Sequence, residues 1–141
     1  MKRVIFQNAQ TPFSLHDQNI IAFEIRGDAL IVHPQAPAFV ETTPPYRPID
    51  GHLEFHNVDW DFCYAYILDF TGNIGTFSGE KVFLKDFIAD FQNAGFSVMD
   101  ETFGYNQTKL NGYFHKGRSV KECMIEIYHL GEMVYVVDTD D

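Results

Sequence analysis

The sequence predicts a single α+β domain, with a strongly curved antiparallel sheet of about seven or eight strands and one amphipathic helix, about 79–94, packed on it. Two patterns predict this fold. Apolar residues recur at helical spacing in one stretch only, whereas elsewhere they alternate or form short runs between turn residues. The chain has 141 residues, of which 45% are hydrophobic. That content is sufficient for one core and argues against disorder.

The helix prediction rests on the period of the apolar side chains between Ser78 and Gly95. Ser78 can accept a hydrogen bond from the first turn, and Gly95 can take the left-handed conformation that ends a helix. Phenylalanines spaced four apart need a broad apolar partner, which a sheet face supplies. The apolar stripe covers roughly 140° of the helical wheel. Its members are Phe83, Leu84, Phe87, Ile88, Phe91 and Ala94.

Turn residues divide the rest of the chain into strands. Gly27-Asp28 supplies the positive φ of a tight hairpin turn, and 116–118 and 130–132 are predicted to be two more hairpin turns. Prolines crowd the segment 41–51, which is therefore predicted to be a loop. The strands are predicted at 4–6, 20–25, 29–33, 38–40, 53–58, 62–70, 96–103, 110–115, 120–129 and 133–138. The first and the fourth of these are brief.

The segment 62–70 has the most pronounced strand pattern. One face carries large side chains, and the other carries Cys63, Ala65 and Ile67. Apolar residues on both faces predict a strand that is at least partly covered on both sides. The helix is expected on the face of Cys63 and Ala65, where small side chains leave room. The large side chains of the opposite face are Phe62, Tyr64, Tyr66, Leu68 and Phe70.

Charge and composition limit the possible partners. The formal charge is −10, and the 10 Lys and Arg residues are dispersed, which argues against nucleic acid and fits a basic protein partner or simple solubility better. No apolar run is long enough for a membrane span or a signal peptide, so a soluble, cytoplasmic, most simply bacterial protein is expected. No cofactor is predicted. Cys63 and Cys123 lie in apolar runs and are expected to be buried thiols, with a disulfide between adjacent strands as the alternative.

The first candidate site is the segment His52-Leu53-Glu54-Phe55-His56. Alternate residues of a strand share a face, so His52, Glu54 and His56 should project together while Leu53 and Phe55 enter the core. Two imidazoles and a carboxylate could hold a divalent ion. The same pattern is also typical of the solvated face of an amphipathic strand.

A second candidate is a partner or ligand surface formed by Trp60, Tyr64 and Tyr66. Large aromatic side chains are enriched at protein interfaces. Trp60 is the only tryptophan and lies between Asp59 and Asp61 in a predicted turn, where it could instead anchor the bend.

A third feature is Leu15-His16-Asp17, which is typical of a turn or cap. A base oriented by a carboxylate is the functional alternative, but neighbours on an extended chain point in opposite directions. The motif Leu15-His16-Asp17-x-x-Ile20, followed by a strand and then Gly27-Asp28-Ala29-Leu30, resembles the opening of some small bacterial β-rich proteins. A few of those are similar to toxin-immunity or phage-associated domains. The resemblance implies no functional residues here.

Three functions are therefore open. The favoured one is non-enzymatic binding of a protein, for example a basic one such as a toxin; no catalytic residue is predicted. The second is a metal-dependent enzyme built on His52, Glu54 and His56. The third is a carrier of a small apolar ligand, which requires an enclosed cavity between sheet and helix. Its proposed walls are Tyr64, Tyr66 and Phe70 on the sheet and Phe83, Phe87 and Phe91 on the helix.

Overall fold

Antiparallel strands make up most of the chain in the computed structural model, which describes residues 1–7, 11–69 and 78–138. One short α-helix, α1, spans Leu84–Ala89, and one 3-10 turn spans Trp60–Phe62. The strands are β1 Lys2–Ile5, β2 Phe13–Ser14, β3 Asn19–Arg26, β4 Ala29–Pro34, β5 Phe39–Glu41, β6 Pro48–Ile49, β7 Gly51–Phe55, β8 Tyr64–Leu68, β9 Gly79–Phe83, β10 Ala94–Gly104, β11 Gln107–Lys116, β12 Ser119–Tyr128 and β13 Met133–Val137.

Ten of these strands form one sheet, in the order β1-β13-β7-β4-β3-β10-β11-β12-β8-β9. Neighbouring strands of this sheet pair antiparallel throughout, and the edge strands β1 and β9 are not joined, so the sheet is not closed. β2, β5 and β6 form a separate small sheet. The antiparallel architecture confirms the prediction, but the main sheet has more strands than the seven or eight expected.

The main sheet bends so that strands far apart in its order come into contact. The Thr108 hydroxyl of β11 lies 3.9 Å from the sulfur of Met133 on β13. Val58, which follows β7, forms a bridge with His129, which follows β12. The inward side chains therefore share one core. Its largest fully buried members are Tyr135, Phe39, Phe55, Phe96, Leu15, Ile20, Leu30, Leu53, Leu84, Leu110 and Ile125.

The predicted helix at about 79–94 is wrong in its bounds. Its first part is strand β9, which pairs with β8, and α1 keeps only Leu84–Ala89. Phe87 is buried, but Phe83 is 51% exposed. A spacing of four fits a strand face as well as a helix face, so the period alone did not distinguish them. Pairing with β8 decided in favour of the strand, since Phe83 stacks on Tyr64 with ring centroids 5.5 Å apart.

Two other predictions are corrected by long-range pairing. β12 and β13 lie on either side of 130–132, but they are not neighbours, so no hairpin forms there. β13 instead pairs with β1 and β7. The predicted loop 41–51 contains β6, which pairs with β5. By contrast, the hairpin of β3 and β4 forms as predicted, and Gly27 has a φ of 62°.

Both cysteines are buried free thiols, as predicted. Burial raises the pKa of Cys63 to about 11 and that of Cys123 to about 12. The predicted position of the helix on the small-residue face of β8 is also confirmed, since Leu84 and Phe87 belong to the same core cluster as Cys63 and Ala65. No helix in the described ranges has the length and apolar character to cross a membrane.

Candidate functional site

An acidic cleft lies between α1 and the end of the main sheet. The exposed carboxylates of Glu80, Asp86 and Asp90 line it, and Lys116 is the one basic residue among the described residues of its lining. Its volume is about 170 Å³, and the rest of its lining is apolar. The cleft therefore combines excess negative charge with an apolar wall. That wall consists of Ile67, Val82, Phe87 and Phe114.

The local structure explains why these groups meet. Glu80 and Val82 are two apart on β9, so they project to the same side of the sheet. Asp86 and Phe87 come from α1, and Asp90 is the residue that ends it. The Lys116 ammonium reaches the carbonyl oxygen of Asp90 at 3.2 Å. The chain changes from strand to helix at Phe83, so Glu80 on β9 lies close to Asp86 of α1 and to Asp90 at its end.

An aromatic ladder covers the opposite face of β8 and β9. Tyr64 lies directly across from Phe83, and Tyr66 across from Lys81. The ring centroids of Tyr64 and Tyr66 are 6.3 Å apart, and the Lys81 ammonium lies 4.1 Å from the Tyr64 ring. The ladder comprises Phe62, Tyr64, Tyr66, Phe83 and Tyr128.

The ladder contains two of the three residues predicted for a partner surface. Trp60 differs, because it is half-buried against the core, with the Lys85 ammonium 5.4 Å from its ring. Phe62 and Phe83 are more than half exposed and belong to this surface, although the predicted partner surface does not include them. The alternation of 62–70 carried the signal for Phe62. No such pattern indicated that Phe83 lies on this face, because its segment is predicted to be helical.

The same geometry separates the two aromatic groups of the carrier hypothesis. Tyr64 and Phe83 lie on the outer face, whereas Phe87 and Phe91 lie on the core side. Phe87 and Phe91 pack on Phe23 and on each other, with ring centroids 4.8–6.1 Å apart. Within the described residues, no single cavity is therefore lined by both groups. Phe70, the remaining residue of that hypothesis, lies outside the described ranges.

His52, Glu54 and His56 do project together from β7. The Nε2 atoms of His52 and His56 lie 3.3 and 2.9 Å from the Glu54 carboxylate. Arg3 of β1 donates to both oxygens of the same carboxylate, at 2.7 and 3.2 Å. Glu54 is only 6% exposed, and its hydrogen bonds with Arg3 lower its pKa to about 2.

This arrangement limits what Glu54 can do for a metal ion. A carboxylate offers about four lone-pair sites, and Arg3, His52 and His56 engage its two oxygens through four contacts. Among the residues that the structure describes, no group of three or more His, Cys, Asp and Glu is arranged to hold a metal. An ion at this position would have to displace Arg3, and the metal site stays a prediction.

A third cluster surrounds His16 at a bulge in β10. The predicted turn forms there, and Asp17 has a φ of 65°, so the two side chains do meet, with His16 Nε2 3.3 Å from Asp17 Oδ2. The cluster lines an open cavity of about 290 Å³ that also includes Glu101. Burial raises the pKa of Glu101, although the Leu15 N–H donates to it at 2.7 Å.

These four places differ in what they offer a partner. The carboxylate of Glu54 is already satisfied by Arg3, and the open His16 cavity is lined mainly by polar residues, with Phe13, Met99 and Phe103 as its apolar side chains. The acidic cleft and the aromatic ladder instead flank one edge strand, β9. No protein-family model, curated protein or solved structure matches this chain.

Proposed function

We propose that this protein is a binding module that takes a basic segment of a partner protein at the acidic cleft and the aromatic ladder flanking β9. The observation that supports this function is the convergence of Glu80, Asp86 and Asp90 on one small cleft with an apolar wall. The net charge of −10 acts in the same direction, since it attracts a basic partner from a distance.

The cleft suits a lysine or arginine side chain. The charged end would lie among the three carboxylates, while the hydrocarbon stem would contact Phe87 and Phe114. A volume of about 170 Å³ is smaller than the usual pocket for a metabolite, which is about 300 Å³ or more. One long side chain is therefore a better fit than a free small molecule.

The ladder supplies the second part of the surface. Tyrosine and phenylalanine give large contact areas with few rotatable bonds, which makes them effective at interfaces. Phe62 and Phe83 expose 56% and 51% of their surface, area that a partner can bury. A basic toxin domain is one form that such a partner could take, in line with the immunity-like resemblance of the segment at Leu15.

Binding of a defined probe tests this proposal. The probe is a hexapeptide of alternating lysine and valine with blocked ends, titrated into the full chain by calorimetry and by NMR. Replacing the three cleft acids together, as Glu80→Gln, Asp86→Asn and Asp90→Asn, should weaken binding by about tenfold or more. NMR shift changes should concentrate on the cleft and the ladder.

A matched variant controls for net charge. Asp28→Asn, Glu132→Gln and Asp138→Asn remove the same charge at exposed positions away from the cleft and should change affinity by about twofold or less. Equal weakening by the two triple variants would show that the peptide responds only to net charge, and the proposed site would be wrong. No detectable binding of the peptide would also refute it.

A further inference from the structure

We infer that the basic segment binds by adding a strand to the open edge of β9. This inference rests on the proposed function and specifies how the partner would be held. β9 is the last strand of the main sheet, and among the described residues β8 is the only strand that pairs with it. An edge strand presents backbone groups that another chain can pair with.

The register identifies which backbone groups face outward. The Leu84 N–H donates to Cys63 O at 2.9 Å, and the Asp69 N–H donates to Ser78 O at 2.9 Å. Hydrogen bonding alternates along an antiparallel strand. The residues of β9 that bond to β8 are therefore Glu80 and Val82, in register with these pairs.

Gly79 and Lys81 consequently direct their N–H and C=O groups away from β8. No described residue forms a backbone hydrogen bond with those groups. Gly79 also lies so close to β8 that a Cβ would come within 2.4 Å of Ile67 O. In the described part of the chain, β9 is therefore paired on its inner side and unpaired on its outer side, which is the arrangement that strand addition requires.

The added strand would extend the pleat, so its side chains would alternate between the two flanking surfaces. Those beside Glu80 and Val82 would enter the acidic cleft, and those beside Lys81 and Phe83 would lie on the aromatic ladder. The occupant is therefore an extended segment with Lys or Arg at every second position and apolar residues between them. Because β9 has five residues, the added strand is expected to be about equally short.

A second copy of this chain is a poorer occupant. Antiparallel pairing of two β9 strands centred on Lys81 would place the two ammonium groups opposite each other, and like charges directly opposite are destabilising. It would also bring the acids of two clefts together. Charge complementarity thus favours a basic partner over self-association.

The test uses the alternating lysine–valine hexapeptide in two modified forms. One form is N-methylated at every valine and the other at every lysine. Alternate residues of an extended peptide direct their N–H groups to opposite edges, so each form lacks the N–H donors of one edge only. If the peptide adds antiparallel to β9, its valine amides face Lys81, and if it adds parallel, its lysine amides do. One form should lose about tenfold or more in affinity while the other stays close to the unmodified peptide.

Amide hydrogen exchange supplies the second readout. The Gly79 and Lys81 amides should exchange faster than those of Glu80 and Val82 in the free protein, and should become protected when the peptide binds. All modifications are in the peptide, so the fold of the protein is not at issue.

The outcomes separate this inference from the proposed function. Binding at the cleft with equal affinity for both methylated forms, or without protection of Gly79 and Lys81, would overturn strand addition and leave the proposed function standing. Absence of any binding would overturn both. Dimerisation of the chain through β9, seen as a size increase with protection of Lys81 in the absence of peptide, would overturn the choice of occupant.

Discussion

Arg3 and Glu54 form a bidentate ion pair across β13, with nitrogen–oxygen distances of 2.7 and 3.2 Å. The two residues are 51 positions apart in the chain, and the pair attaches the edge strand β1 to β7 on the far side of β13. His52 and His56 complete the contacts of the carboxylate. The polar face predicted as a metal site is thus organised around an arginine.

Removing the arginine should destabilise the fold. Arg3→Met keeps much of the hydrocarbon stem but leaves the buried Glu54 carboxylate without its cation, so the free energy of unfolding should fall by about 2 kcal/mol. Arg118→Met, at an exposed turn position, is the control and should change it by less than about 0.5 kcal/mol. Urea unfolding measures both, and equal effects would contradict this role of the ion pair.

Stability should depend on pH through Glu54. Arg3 holds the pKa of Glu54 at about 2, below its ordinary 4.5, so the folded state favours the ionised form. The resulting stabilisation is present above about pH 4.5 and is lost as the pH falls towards 2. The difference in unfolding free energy between the wild type and Glu54→Gln should narrow across that window. A difference that stays constant down to pH 2 would show that the carboxylate charge is not responsible.

Zinc binding should depend on the absence of Arg3. Because Arg3 engages both Glu54 oxygens, Arg3→Met should raise zinc affinity at His52, Glu54 and His56 by about tenfold over the wild type. Calorimetric titration with zinc chloride measures this change. Adding His56→Ala to Arg3→Met should abolish the gain. A wild type that binds zinc as tightly as the variant would show that Arg3 does not block the site.

Two phenylalanines that the helical period had placed together should differ in their effect on stability. Phe87 is 5% exposed and Phe83 is 51% exposed. Phe87→Ala should therefore lower the free energy of unfolding by about 3 kcal/mol, and Phe83→Ala by less than about 1 kcal/mol. Denaturant unfolding compares them. Similar losses of stability would indicate that Phe83 is buried in the core, as the longer predicted helix requires.

The thiols should be unreactive in the folded protein. Burial keeps the pKa of Cys63 at about 11 and that of Cys123 at about 12, so little thiolate forms at pH 8. A disulfide reagent such as DTNB should label both rapidly in denaturant and slowly without it. Rapid labelling of either thiol in the native protein would contradict its burial.

Local patterns in the sequence predicted much of the fold. Alternation identified most of the strands, and Gly27-Asp28 identified the first hairpin, because these features depend on neighbours along the chain. Alternation also predicted that His52, Glu54 and His56 share a face, and the structure places all three on one carboxylate network. The predicted bounds of the helix are wrong because the spacing of Phe83, Phe87 and Phe91 fits both a helix face and a strand face. Pairing with β8 places Phe83 in a strand.

The sequence by itself determined the acidic charge, the prevalence of strands and the residues that alternate on each of them. The tertiary structure alone decided that Arg3 reaches Glu54, that β13 pairs with β1 and β7, and that Glu80, Asp86 and Asp90 surround one cleft. Alternation of side chains is a property of the local backbone, whereas these contacts join strands that are distant in sequence. Their positions follow from the order of strands in the sheet, which no local pattern encodes.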